Sequence, residues 1–266
     1  MNTVVSRPLV NSVRLHVEER GEGAPILCIH GCGSTALVWD DAAETLAGLG
    51  RVISYDRRGC GRSERPQPYP RTSAAEHAED AAALLRELGA APAVVVGRSM
   101  GGTMATELAL RHPDLVRAFV VLESDAPREL APAAAEWVDG LRDRLGAIAE
   151  RSGIDAVGEA LITEVADADA WRSFPAEIRE TISGNGPAIL AEIRGEWWLQ
   201  ADESEIAGIE QPALVVAAST SPPSFRESAK LMTRLLPNAR LATVSGGHLI
   251  DPAGPDVVAF IEEVLG

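Results

Sequence analysis

Cysteine is scarce, with three in 266 residues: Cys28, Cys32 and Cys60. They are too few and too scattered for a disulfide framework or a zinc site, and they fit a reducing compartment. Long apolar runs are missing as well. None approaches the roughly 18 consecutive residues that a membrane span requires. The opening residues, Met1 to Pro8, lack the apolar stretch of a signal peptide, so a cytoplasmic location is the expectation. Positive charge is in deficit: 24 Lys and Arg stand against 39 Asp and Glu, a net charge of −15. Such a surface repels nucleic-acid backbones and anionic lipid, which excludes both as partners. No repeat or low-complexity tract is present. The 46% of hydrophobic residues is too high for a disordered acidic chain and is enough for a full core.

Short β runs alternate with helical stretches in the first half. Val13–Glu18 alternates apolar and polar residues as a half-exposed strand does. Ile26–Ile29, Val52–Tyr55, Ala93–Val96 and Ala118–Leu122 are wholly apolar, as strands buried on both faces are. Thr72 or Ser73 is placed to cap a helix that stops at Gly89, and a second helix is expected from about Ser99 to His112, before Pro113. The rhythm resumes late, with a strand at Ala213–Ala218, a helix at Phe225–Leu236, a strand at Leu241–Val244 and a helix at Asp256–Leu265. The pattern predicts an α/β fold with a mostly parallel, doubly wound sheet.

Between Arg128 and Glu210 the alternation stops and the chain becomes helical in character. A helical cap over 128–210 is expected, inserted between core segments 1–127 and 211–266, at the sheet edge where ligands bind in open parallel sheets. It holds four of the five tryptophans. Trp137 and Trp171 are read as packing the insertion's own core. Trp197 and Trp198, taken as consecutive helical residues, lie about 100° apart and so cannot both face one core.

The strongest chemical signal is Gly97-Arg98-Ser99-Met100-Gly101, after an apolar strand and before a helix. That is a nucleophile elbow: glycines allow the sharp turn, Ser99 stands clear of the sheet, and the helix N-terminus offers amides to a developing oxyanion. An earlier loop, His30-Gly31-Cys32-Gly33, follows another strand and can supply a second amide. Met100 and Cys32 are the expected oxyanion donors, with Gly31 the alternative to Cys32, and His30 braces the loop. A serine needs a base. Among five histidines, His248 in Ser245-Gly246-Gly247-His248 falls after the last strand, where the chain order nucleophile, acid, histidine requires it.

These motifs, with the turn Asp56-Arg57-Arg58-Gly59-Cys60-Gly61-Arg62-Ser63, resemble the α/β-hydrolase superfamily across nearly the whole chain. The family's usual acid, an Asp after the strand reading Ala213–Ala218, has no counterpart in Ser219-Thr220-Ser221-Pro222. The resemblance instead implies an acid after the strand that follows the elbow: Glu123, with Asp125 the alternative. A Glu there is similar to the zearalenone lactonases, whose cap tryptophan contacts substrate. That likeness implies that Trp197 or Trp198 lines the pocket, with Gly31 also at the substrate. Ser99 in place of Asp argues against dehalogenase and epoxide-hydrolase chemistry, and the missing late Asp against C–C hydrolysis. The expectation is a Ser-His-Glu hydrolase of an ester or lactone of a bulky apolar molecule, possible substrates including a zearalenone-type macrolactone. No cofactor and no metal are expected, and the protein is read as a monomer or homodimer whose partner is a small-molecule substrate. The competing class is a ligand-binding protein or receptor of the same fold with weak or no turnover.

Overall fold

The computed structural model describes residues 2–266; Met1, where the first expected core segment starts, lies outside them. In chain order the elements are β1 (Val4–Ser6), β2 (Leu9–Val10), β3 (Val13–Arg14), β4 (Val17–Arg20), β5 (Pro25–Ile29), α1 (Asp40–Leu46), β6 (Arg51–Tyr55), α2 (Ala74–Glu87), β7 (Ala93–Arg98), α3 (Met100–Arg111) and β8 (Val116–Leu122). Six helices follow among the described residues: α4 (Pro132–Ser152), α5 (Ala156–Val165), α6 (Ala168–Ser173), α7 (Ala176–Gly184), α8 (Gly186–Arg194) and α9 (Glu203–Ala207). The chain then returns through β9 (Ala213–Ala218), α10 (Pro223–Leu235), β10 (Ala239–Val244) and α11 (Pro255–Leu265).

The main sheet runs β1-β4-β6-β5-β7-β8-β9-β10, antiparallel at β1/β4 and β4/β6 and parallel elsewhere. Its central strands are apolar on both faces because both faces are covered. Leu27, Val95, Phe119 and Val215 pack under α2, α3 and α10, through residues such as Leu85, Met104 and Met232. Their neighbours Ile26, Val94, Val120 and Leu214 pack against Trp39, Leu46, Phe260 and Ile261 on the α1 and α11 side. The period of two along each strand divides one apolar run between two cores.

Two expectations change in detail. Val13–Glu18 is not one strand: β3 pairs with β2 in a separate hairpin, and β4 joins the main sheet. Leu15 and His16 carry the crossing, their N–H groups donating to Pro8 O (3.0 Å) and Ser63 Oγ (2.8 Å). Both sheets impose the same alternation, so the pattern cannot show where the chain changes partners. The strand expected to end at Val96 continues through Gly97 and Arg98, which pair with Val121 and Leu122. The turn is made at Ser99 itself.

Helix α8 ties the helices between β8 and β9 to the loops that follow β5 and β6. Asn185 donates from Nδ2 to Gly33 O (3.0 Å) and Ser34 O (3.1 Å), and its Oδ1 accepts from Gly61 N–H (2.8 Å). Beneath α8, Arg57 and Glu192 form a fully buried ion pair at 2.6 Å. Arg57 also donates to Gly31 O (2.9 Å), so the same guanidinium holds the loop beside the elbow. Removing one partner of a buried pair strands the other charge in a low-dielectric site. Glu192→Ala is therefore expected to lower unfolding free energy by about 3–5 kcal/mol in urea titration, far more than loss of the exposed Arg240–Glu263 pair at 2.8 Å.

Candidate active site

Ser99 occupies a backbone conformation that L-residues rarely adopt, with φ +51° and ψ −128°. Packing enforces it. A Cβ at Gly97 would lie 2.2 Å from Gly101 O, and one at Gly101 would lie 2.1 Å from Ile29 O. Both are backbone oxygens that cannot yield, so strand, turn and helix close together only with glycine at these positions. Met100 opens α3, and its amide belongs to the first turn, where N–H groups have no acceptor within the helix. Gly31 is pressed against the elbow: a Cβ there would stand 3.1 Å from Ser99 Cβ.

Strand register sets the remaining positions. Arg98 pairs with Leu122, and Leu122 with Val216. Ser99 and Glu123 each come one residue past these pairs. Their N–H groups donate to Leu122 O (2.7 Å) and Val216 O (2.9 Å), which holds both at one height on neighbouring strand ends. Glu123, like Ser99, has positive φ, +53°. The loop after β10 brings in His248, whose Nε2 lies 3.1 Å from Ser99 Oγ and whose Nδ1 lies 3.2 Å from Glu123 Oε2. With the carboxylate accepting from Nδ1–H, Nε2 is left free to accept from the serine hydroxyl.

Glu123 also accepts from the Ala218 N–H and the Ser221 hydroxyl. Burial pushes its carboxyl up, but the donors His248, Ser221 and Ala218 together outweigh burial and hold it below the usual carboxylate range. Ser221 thus serves from the segment where the sequence shows no acid. Asp125 faces elsewhere. It shares no hydrogen bond with His248, and burial, assisted by the charge of Glu123, pushes its carboxyl up to about 7. The Cys32 thiol is held well above its ordinary value by burial and by Glu192, so it stays protonated and is a poor nucleophile. His30 is a brace: its Nδ1–H donates to Gly31 O (2.8 Å) and its Nε2 accepts from Arg57 N–H (3.0 Å).

Two cavities meet at Ser99. A groove of about 720 Å³ runs past Gly31, Cys32, Arg98 and His248, between Leu37 and Val38 on one side and Ile162, Phe174 and Ile178 on the other. A chamber of about 40 Å³ lies under α4 and is lined by Met100, Thr103, Asp125, Trp137, Trp197 and Trp198 among others. Both adjacent tryptophans reach the chamber, and the reason differs from the helical one expected. They follow the end of α8 in an irregular segment, where Glu196 bridges to Ser73. Trp197 is 9% exposed, while Trp198 lies under the guanidinium groups of Arg128 and Arg142 at 5.2 and 5.6 Å. Trp171 packs with Ile162 and Ile182 within the insertion. Trp137 does not stay there: it lines the chamber and meets Phe225 edge-on at 5.6 Å. Phe225 in turn stacks on the His248 ring at 4.4 Å. Sequence reasoning missed Phe225, whose only signal is its place on the helix after Ser221.

Among the described residues no helix is long and apolar enough to cross a membrane, and no cluster of three metal-ligating side chains is present. A profile described as the alpha/beta hydrolase fold matches residues 24–251. A protein of Azorhizobium caulinodans, named provisionally as a carbamate hydrolase, is 31% identical over 268 residues, covering 95% of this chain and 94% of its own. A solved N-acyl homoserine lactone degrading enzyme superposes with a TM-score of 0.73 at 26% identity, covering 96% of each chain. A thermophilic esterase from Thermogutta terrifontis has a TM-score of 0.78 at 24% identity, covers 100% of each chain, and speaks for the fold.

The raised carboxyl of Asp125 has a consequence for stability. A carboxyl protonated in the folded chain up to about pH 7 and ionised in the unfolded chain above about pH 4 makes stability fall as pH rises across that interval. Asp125→Asn removes this dependence. Urea titrations are expected to show the variant gaining more, relative to the parent, at pH 8 than at pH 4; a gain independent of pH would contradict the assignment.

Proposed function

The chain belongs to the alpha/beta hydrolase fold family, and from that premise we propose that it hydrolyses an ester or lactone of a bulky, largely apolar small molecule through an acyl-enzyme. The observation that carries this reading is the unbroken hydrogen-bonded line Ser99–His248–Glu123, open to a groove and a chamber. In the first half-reaction Ser99 Oγ bonds to the acyl carbon and His248 Nε2 takes the hydroxyl proton. The oxyanion is held by the Met100 and Cys32 amides, with Gly31 pressed close behind. Glu123 keeps the imidazole in the working tautomer and stabilises its charged form. Collapse breaks the bond to the leaving oxygen, which receives the proton from His248. Water then attacks the acyl carbon, gives a proton to His248, and Ser99 leaves with that proton restored.

His248 lines the groove and not the chamber, so the group it protonates departs along the groove. The alcohol portion, or most of a lactone ring, therefore occupies the large groove, and the acyl side faces the chamber. In this reading the helical stretch 128–210 is a cap that closes both cavities over core segments 1–127 and 211–266. The lactone-degrading neighbour at 26% identity supports the lactone alternative, and the carbamate-hydrolase relative is consistent with attack on an activated carbonyl. A zearalenone-type macrolactone is the finer reading. It rests on Glu123 standing after β8 and on the groove's volume.

Aryl esters and zearalenone, followed by chromatography and mass, test both levels. Ser99→Ala is expected to lower kcat by about 10⁶-fold. Glu123→Gln is expected to lose about 10⁴-fold and Asp125→Asn far less; equal losses would remove Glu123 from its role. Ser99-dependent ring opening supports the macrolactone, whereas ester turnover without it keeps the hydrolase and discards that substrate.

A further inference from the structure

Arg98, one residue before Ser99, lines the large groove. Among the described residues no side-chain hydrogen bond and no ion pair reaches its guanidinium. Every other arginine without such a partner, Arg117 and Arg194 for example, is exposed, where water serves. Arg98 is not exposed, and burial pulls its pKa down. The carboxylates that oppose this act at a distance and are engaged elsewhere. Glu123 accepts from His248, Ser221 and the Ala218 N–H, and Asp251 accepts from the Ala253 N–H at 2.9 Å. A cation drawn from water without an acceptor is costly, so its presence here calls for a reason. Strand alternation sets where the group points. Val94, Val96 and Leu122, the last paired with Arg98, pack on the α1 and α11 side of the sheet, and Arg98 shares that face. The groove reaches the same side, where Asp41 and Thr45 of α1 line it, as do Asp251 and Pro252 after β10. No nitrogen of Arg98 is among the closed-off, unpartnered polar atoms of the described residues, so the guanidinium is reached from the groove it lines.

On the acyl-transfer reading above, we infer that Arg98 is a specificity residue that binds a single carboxylate carried by the departing alcohol portion of the substrate. A guanidinium is a donor only, and its planar fork matches a carboxylate in two parallel hydrogen bonds. The alcohol portion is the half that meets it. His248, which protonates that half, lines the same groove, whereas Arg98 does not line the chamber. One negative charge suits the site and two do not. Arg98 is the only Lys or Arg lining the groove among the described residues, and the exposed Asp41 and Asp251 on its walls repel a phosphate dianion. A neutral lactone ring would leave the guanidinium unpaired, so the inference narrows the ester reading and not the macrolactone one.

The test compares 3- and 4-acetoxybenzoate with 3- and 4-acetoxybenzamide, nearly isosteric acetyl esters that differ by one charge on the departing phenol. The expected kcat/KM ratio favours a carboxylate isomer over its amide by about 10- to 100-fold, as a charge-assisted pair would. In Arg98→Met that ratio is expected to fall to one or below, and in Arg98→Lys to keep part of its value, whatever the absolute rates. A ratio near one for both isomers in the parent, or a preference unchanged in Arg98→Met, overturns the assignment. Binding gives a readout separate from turnover. Calorimetry on the Ser99→Ala protein should find the matching hydroxybenzoate bound about 10-fold or more tightly than the hydroxybenzamide, with the difference lost when Arg98→Met is added. Equal binding overturns the inference. If no ester is turned over, the hydrolase reading fails, and the binding pair decides the role of Arg98 by itself.

Discussion

Parallel-strand register at the carboxyl edge of β7, β8 and β9 is the constraint on which the rest of this molecule depends. Two backbone hydrogen bonds, Ser99 N–H to Leu122 O and Glu123 N–H to Val216 O, fix the serine and the carboxylate at one height. A single-residue slip between these strands would turn each side chain to the opposite face. Both residues hold positive φ, a cost of about 1–3 kcal/mol each that persists because the flanking strands leave no alternative. The strain has a use. It lifts the hydroxyl and the carboxylate clear of the sheet, so that one imidazole on a separate loop can meet both.

The second level of organisation is the seating of the helices between β8 and β9. Burying Arg57 and Glu192 costs both their hydration, which their close approach and the other acceptors around Arg57 offset. Arg57 spreads its donors over Glu192 and the Gly31 carbonyl, with its backbone N–H given to His30. One side chain therefore couples α8 to the loop that borders Ser99. The placement of α8 then decides where its C-terminal continuation, Trp197 and Trp198, enters the chamber.

The site also shows how two carboxylates two residues apart acquire different chemistry. Glu123 accepts three hydrogen bonds and stays ionised despite burial. Asp125, with one oxygen unpartnered, is driven toward the neutral form. Chain order offers no means of telling them apart, because both follow the same strand end. Environment separates them, as it does wherever neighbouring acids take different roles.

The sequence determined much of this on its own. Apolar runs buried on both faces required a sheet covered on both sides, and the strand–Gly-x-Ser-x-Gly–helix succession required a tight turn with an exposed hydroxyl. Those are local properties, set by periodicity and by the room a Cβ needs. Other features required the folded chain. Val13–Glu18 divides between two sheets that share one alternation, Trp137 leaves its own helical layer for the chamber, and Phe225 stacks on His248. Ser221 reaches Glu123 across 98 positions of sequence. Periodicity reports which face of an element is buried but carries no information about what is packed against it. The partners of Glu123, Asp125 and the tryptophans come from strands and helices distant in sequence, and only their packing together decides them.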